Sequence, residues 1–178
     1  MALDLPEGER AALASWRDEL IADRDDLRPV AEEALHVTLA FLGYRPETEA
    51  VAIAEAMARG AGSAAPPLLR PAEVVPLPPS RPRLFALGLE EADGDCSQLQ
   101  QSISDALEAG RFYKPERRPF WPHVTLARVK RDRRADPLPA APPPLKPFRA
   151  AQVTLYRSLL RPEGARYEAL ECLALGSP

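Results

Sequence analysis

The stretch Leu35-His36-Val37-Thr38-Leu39-Ala40 holds one of the two histidines of this 178-residue chain, and Pro122-His123-Val124-Thr125-Leu126-Ala127 holds the other. Both histidines therefore begin the same phrase, His-Val-Thr-Leu-Ala. Successive side chains of a β-strand point to opposite faces, so histidine and threonine share one face while valine and leucine share the other. Each copy is predicted to be a strand that presents an imidazole beside a hydroxyl group.

A second repeat surrounds the first. Ala2-Leu3-Asp4-Leu5 precedes an acidic turn and a helical stretch, and so does Ala86-Leu87-Gly88-Leu89. The number of residues between these two segments is nearly the same as the number between the two histidines. Strand, helix and histidine strand thus recur in the same order. The sequence predicts a single domain, 1–178, built from two similar halves, 1–82 and 83–178, that pack together.

The hydrophobic pattern predicts an α+β fold. Several strand pairs are separated only by turns, which favours mainly antiparallel sheets. The stretch 135–147 is rich in proline and is predicted to be an extended loop. Helices are expected over 7–22, from Pro46 to Gly60 or Gly62, and over 96–109; strands are expected over 2–5, 35–42, 68–77, 83–90, 123–129, 149–160 and 166–175, the last two turning around Pro162-Glu163-Gly164.

Composition narrows the class of protein. Hydrophobic residues make up 46% and charged residues 28% of the chain, as in ordinary globular domains. No window is apolar enough for a membrane span, and the opening residues lack the pattern of a secretory signal. Cys96 and Cys172 fit neither a metal cluster nor a disulfide framework. We therefore expect a cytoplasmic protein without membrane attachment.

The net charge of −3 conceals a basic segment. Residues 111–134 contain nine lysines and arginines against two acidic residues. Such a run is most often a solvated surface. Here it brackets the second histidine phrase, which favours a ligand that carries phosphate.

Two imidazoles suit acid–base chemistry at phosphorus. An unperturbed histidine titrates near pH ~6.5, so one imidazole can accept a proton from water while the other donates a proton to a leaving oxygen. The hydroxyls of Thr38 and Thr125 can donate to the phosphate oxygens. Acid–base catalysis contributes ~10²–10⁴-fold, which favours an activated substrate such as a 2′,3′-cyclic phosphate. No convincing set of metal ligands is present, so neither a metal nor another cofactor is expected.

Each of these residues also has a plainer explanation. A lone histidine on a strand is usually a structural residue, and a lone threonine reflects β-propensity. Identical contexts at matching places of a repeat favour the functional interpretation for His36 and His123.

On these motifs the sequence resembles the two-histidine phosphoesterase superfamily, in particular its RNA 2′,3′-cyclic phosphodiesterase branch, also called 2′-5′ RNA ligases. The resemblance covers nearly the whole chain. It is carried by both histidine phrases, by the opening 2–6, and by the segments 81–89, 118–128 and 153–160 together with Gly164 and Tyr167.

The resemblance implies a bilobal α+β fold, with helices outside and the histidine strands facing a central cleft. It also implies metal-independent opening of a 2′,3′-cyclic phosphate to a 2′-phosphate. By position, His36 would protonate the departing O3′ and His123 would activate water, while Thr38 and Thr125 would bind the phosphate.

Phe41 and Arg128 match the family's base-stacking and guanidinium contacts. Each lies five residues after its histidine, an odd spacing that turns it to the opposite face of a regular strand. Both reach the cleft only if the strand bends or ends first, and Phe41 could instead be a core aromatic. Trp121 is a departure, because relatives often have a basic residue there.

Alternatives remain within and outside the superfamily. A relative of this kind could act on ADP-ribose cyclic phosphate or on 2′-5′-linked oligoadenylate, or join RNA ends by the reverse reaction. A non-catalytic module that binds RNA or nucleotides would keep the pocket without turnover. The expected partners are RNA ends or nucleotides, with no obligate protein partner, and the expected state is a monomer.

Overall fold

The computed structural model describes residues 1–139, 141–161 and 164–176. The first half contains β1 (Ala2–Asp4), α1 (Glu7–Leu20), β2 (Leu27–Pro29), β3 (His36–Thr38), α2 (Ala50–Ala61) and β4 (Leu68–Leu77). The second half contains β5 (Leu84–Glu91), α3 (Asp95–Ala109), β6 (His123–Val129), β7 (Phe148–Arg149), β8 (Gln152–Arg161) and β9 (Gly164–Ala174). Short 3₁₀ turns at Glu32–Ala34 and Glu47–Glu49 precede β3 and α2.

The nine strands of the described residues all belong to one antiparallel sheet, in the order β7-β4-β5-β6-β3-β1-β8-β9, with β2 paired to β6. The order is symmetric about the junction of β3 and β6. Moving outward, β1 corresponds to β5 and β8 corresponds to β4, while α1 follows β1 and α3 follows β5. The predicted α+β class and the antiparallel pairing are confirmed.

The two halves are joined differently from the expectation. The histidine strands were expected to face each other across a cleft between two lobes, but the halves share one sheet and these strands lie side by side at its centre. Direct pairing gives the backbone groups of the three-residue strand β3 partners on both sides, from β1 and β6.

The sheet is strongly curled. Only Ala150 and Ala151 separate β7 from β8, although five strands lie between these two in the sheet. Strands are ~4.8 Å apart, so a flat sheet would place β7 and β8 ~29 Å from each other. The connecting backbone spans only ~11 Å. The sheet therefore bends until its distant strands approach each other.

One face of the sheet carries the hydrophobic core. Val37 and Val124 are completely buried there, in a cluster that includes Leu13 of α1, Met57 of α2 and Ile103 of α3. The alternation along both histidine phrases forces this arrangement, since valine and leucine must point away from water. The polar members of the phrases consequently emerge on the opposite face.

Element boundaries differ from the prediction in a few places. β3 ends at Thr38 instead of residue 42, because the N–H groups of Leu39 and Ala40 turn to donate to the carbonyl of Met1. The strand expected over 149–160 is interrupted at residues 150–151, and β2 was not predicted. The turn residues Pro162 and Glu163 lie outside the described residues.

Candidate active site

The two His-x-Thr motifs meet through a single pair of valines. Val37 of β3 lies directly opposite Val124 of β6, and both side chains are buried against the helices. The residues on either side of each valine point to the other face. The pairing therefore brings His36, Thr38, His123 and Thr125 together on one surface.

The register also fixes how the four side chains are arranged. Continuing it from the valine pair sets His36 opposite Thr125 and Thr38 opposite His123. The histidines are then diagonal neighbours, whose Cα atoms in an antiparallel pair are ~7–8 Å apart. Two imidazoles at that separation can contact opposite sides of one phosphate group.

The imidazole of His36 packs against two tyrosine rings. The ring of Tyr156 stacks on the imidazole with centroids 5.5 Å apart, and Tyr167 meets it edge-on at 5.1 Å. Burial lowers the pKa of His36 to about 4, so its imidazole is neutral at pH 7. Its Nδ1 is buried and has no hydrogen-bond partner among the described residues.

His123 is held in a different way. Its Nδ1 lies 2.8 Å from the carbonyl oxygen of Trp121, and the indole stacks on the imidazole with centroids 4.6 Å apart. A carbonyl oxygen can only accept, so Nδ1 carries the proton and Nε2 of the neutral ring keeps its lone pair. Gly88 pairs with His123, and a Cβ there would lie 3.1 Å from the indole, so the glycine makes room for Trp121.

Phe41 and Arg128 are both exposed, although each lies an odd number of residues after its histidine. After Thr125, β6 bulges at Leu126, so that Leu126 and Ala127 are both buried and Arg128 is exposed. The bulge returns Arg128 to the face of Thr125. The first phrase follows the same pattern, because two buried residues follow Thr38 and Phe41 is then 76% exposed. Phe41 is therefore not a core aromatic.

Metal clusters and membrane-spanning helices are both absent from the described part of the chain. It contains no group of three or more histidine, cysteine or acidic side chains that could hold a metal ion. None of its helices combines the length and the apolar character needed to cross a bilayer.

The residues that surround the histidines were not assigned to the site from the sequence. Tyr156 and Tyr167 come from the hairpin of β8 and β9, more than a hundred residues after His36. Both belong to the parts of the sequence that carry the family resemblance, but their contact with His36 depends on long-range strand pairing, which the sequence does not indicate. Trp121 had a local signal, since it precedes His123 by two residues.

A curled antiparallel sheet with paired His-x-Thr strands at its centre and helices on its other face defines a class of phosphoesterases built around two histidines. Comparison with known proteins gives the same result. The sequence profile of the 2′-5′ RNA ligase superfamily matches residues 5–161. This chain belongs to that superfamily.

Individual relatives agree along almost the whole length. An RNA 2′,3′-cyclic phosphodiesterase of Aeropyrum pernix is 30% identical, over 89% of this chain and 92% of its own. The crystal structure of TT0787 from Thermus thermophilus superposes with a TM-score of 0.78 at 31% identity, over 99% of this chain and 96% of that one. Escherichia coli LigT complexed with 3′-AMP gives 0.74 at 28% identity, over 98% and 95%.

Proposed function

We propose that this protein is an RNA 2′,3′-cyclic phosphodiesterase that hydrolyses a terminal 2′,3′-cyclic phosphate to a 2′-phosphate without a metal ion. The observation that carries the proposal is the register of Val37 opposite Val124, which gathers two imidazoles and two hydroxyls on one face. The names of the relatives support the same reaction class.

In the proposed reaction His123 is the base. Its Nδ1 proton is engaged by the carbonyl of Trp121, which leaves the Nε2 lone pair to accept a proton from water. The oxygen of that water forms a bond to phosphorus while the bond from phosphorus to O3′ breaks. The bond to O2′ is kept, so the product carries a 2′-phosphate.

His36 is the proposed acid, which donates a proton to O3′ as it departs. Burial lowers the pKa of His36, so the free protein holds this ring neutral at pH 7. A bound phosphate anion favours the imidazolium form, because an opposite charge at close range raises the pKa of a histidine. The substrate would thus help to load the acid, and solvent exchange would restore both protonation states after each turnover.

The two threonines complete the proposed site. Each hydroxyl lies two residues from its histidine on the same face and can donate to a non-bridging phosphate oxygen. Such donors stabilise the charge that develops in the transition state, and losing one typically costs ~10²–10³-fold in rate.

The surroundings support a nucleotide or an RNA end as substrate. Phe41 is 76% exposed and could stack on a base, and Arg128 emerges on the face of Thr125. The basic residues of 111–134 are mostly exposed and offer contacts to a longer phosphate backbone. The structure of E. coli LigT with 3′-AMP is consistent with an occupant of nucleotide size.

The test is incubation of the purified protein with a short RNA that ends in a 2′,3′-cyclic phosphate, in the presence of EDTA. We expect conversion to a 2′-phosphate. Each of the variants His36→Ala and His123→Ala should open the cyclic phosphate at least ~10²-fold more slowly than the parent protein. Thr125→Val should cost about as much, and Thr125→Ser, which keeps the hydroxyl, should remain within ~10-fold of the parent.

Other results would point elsewhere. A 3′-phosphate product or a requirement for a divalent metal would contradict the proposal. Binding without turnover, unaffected by either alanine substitution, would indicate a non-catalytic module. Faster opening of ADP-ribose cyclic phosphate, or cleavage of 2′-5′-linked oligoadenylate, would move the protein to another branch of the superfamily.

A further inference from the structure

The two halves of the molecule differ at the residue opposite each histidine. Asp4 of β1 pairs with His36, and Gly88 of β5 pairs with His123. These are corresponding positions of the repeat, the third residue of Ala-Leu-Asp-Leu and of Ala-Leu-Gly-Leu. One histidine thus has a carboxylate as its cross-strand neighbour, while the other has a glycine that leaves space for an indole.

The carboxylate of Asp4 is held by three donors. The hydroxyl of Thr154 donates to Oδ2 at 2.6 Å, the amide of Gln152 donates to the same oxygen at 2.8 Å, and the hydroxyl of Tyr156 donates to Oδ1 at 2.9 Å. Thr154 is completely buried. Three directed hydrogen bonds fix both carboxylate oxygens, so the negative charge has a defined place next to His36.

The same tyrosine connects the carboxylate to the imidazole. Tyr156 donates to Asp4 through its hydroxyl and stacks on His36 through its ring, and Tyr167 packs edge-on against both rings. The ring orientation of His36 and the position of Asp4 therefore depend on each other. A protonated imidazole against the face of Tyr156 would also gain a cation–π contact.

We propose that Asp4 is the positioning residue of His36. Asp4 holds the imidazole in place through Tyr156, and its charge favours the protonated imidazole, which donates a proton to the leaving oxygen. This inference rests on the proposed function and adds a physical reason why His36 is the acid and His123 is the base. His36 has a fixed anion beside it, whereas His123 has a backbone carbonyl that fixes its neutral tautomer.

Other groups also bear on the protonation of His36. Burial opposes the charged imidazole, and so does the amino group of Met1 when it is protonated. Burial lowers the pKa of that amino group to about 6, so its repulsion of His36 acts mainly below pH ~6. Asp4 opposes both effects. The titratable groups that face His36 in the described residues are Asp4 on β1, the amino group of Met1 just before it, Tyr156 on β8, Tyr167 on β9 and His123 on β6.

The chain is well suited to a direct test because it has only two histidines. NMR resolves two imidazole signals, which single substitutions assign, and each can be titrated with and without inorganic phosphate. In Asp4→Asn, which keeps the shape and removes the charge, the titration midpoint of His36 should fall by about 0.5–1 pH unit, or about three- to tenfold less imidazolium. The His123 signal should not move.

Two more variants complete the comparison. Asp4→Glu keeps the charge and should stay closer to the parent than Asp4→Asn does. Glu171→Gln removes an exposed carboxylate from the neighbouring hairpin and should leave both signals unchanged. If Asp4→Asn does not fold, Asp4→Ser removes the same charge with a smaller side chain and carries the same expectation.

Kinetics give a second readout. In Asp4→Asn we expect kcat for cyclic-phosphate opening at pH 7 to fall about three- to tenfold in proportion to the imidazolium lost, with KM changed less than about twofold. An unchanged His36 titration in both neutral variants would overturn the inference. If the parent protein opens no cyclic phosphate, the proposed function fails, yet the NMR titration still decides whether Asp4 controls His36.

Discussion

Acidification should weaken the fold through His36 in a way that can be isolated. Folding buries this imidazole and lowers its pKa from 6.5 to about 4. Between these values the unfolded chain binds a proton that the folded protein does not, so unfolding takes up a proton and is favoured by acid. The contribution of His36 to the free energy of unfolding is complete above pH ~6.5 and is lost as the pH falls towards ~4.

The size of the effect follows from the two pKa values. Relative to pH 7, the contribution of His36 at pH 5 should be smaller by about 2 kcal/mol. This is an upper value, because the imidazole is half-buried and water can reach part of it. Denaturant unfolding can resolve a loss of 1–2 kcal/mol, because the extrapolated free energy of unfolding carries an uncertainty of roughly 10–15%.

The assay is urea unfolding of the parent protein and of His36→Gln at pH 7 and pH 5. Titratable groups that do not interact with His36 behave alike in both proteins, so their contributions cancel in the comparison. The parent should lose about 1–2 kcal/mol more than the variant between the two pH values. Equal losses in the two proteins would show that folding does not perturb His36 and would refute the reasoning.

Three further predictions concern packing, thiol reactivity and salt. Gly60→Ala should lower the free energy of unfolding by about 2 kcal/mol or more, because the added Cβ would lie 2.6 Å from the backbone of α3. Gly8→Ala is the control: its Cβ would enter open space on α1, so the change should be neutral or stabilising by up to ~1 kcal/mol. Urea unfolding measures both. Burial raises the pKa of Cys96 to about 12, so a thiol reagent at pH 8 should modify only exposed Cys172 until urea exposes the other, and two rapid equivalents in the native protein would contradict this. Because the basic segment 111–134 is exposed, KM for a cyclic-phosphate oligonucleotide should rise with salt more steeply than KM for a mononucleotide; equal slopes would argue against backbone contacts there.

The central part of the site could be predicted from the sequence because it depends on alternation within short strands. The strand over 123–129 has the predicted bounds, and the histidines and threonines emerge opposite the buried valines. That information is local, since a period of two decides which side chains are hydrophobic and must face the core.

The rest of the site depends on pairing between distant segments. Alternation alone placed Arg128 on the wrong face, because the bulge at Leu126 shifts the period by one residue. The contacts of Asp4 with Thr154 and Tyr156 join residues about 150 positions apart, and nothing in the sequence near Asp4 indicates them. The roles of the individual residues in turnover remain predictions.

Joining the two halves in a single sheet has a consequence for how the protein works. The separation of the imidazoles is set by backbone hydrogen bonds between adjacent strands and by two valines locked in the interior. The described residues contain no hinge between them, so in the proposed reaction the two imidazoles are already spaced when the substrate arrives. Any adjustment to different ligands must come from the surrounding loops and side chains, while the spacing itself is as durable as the fold.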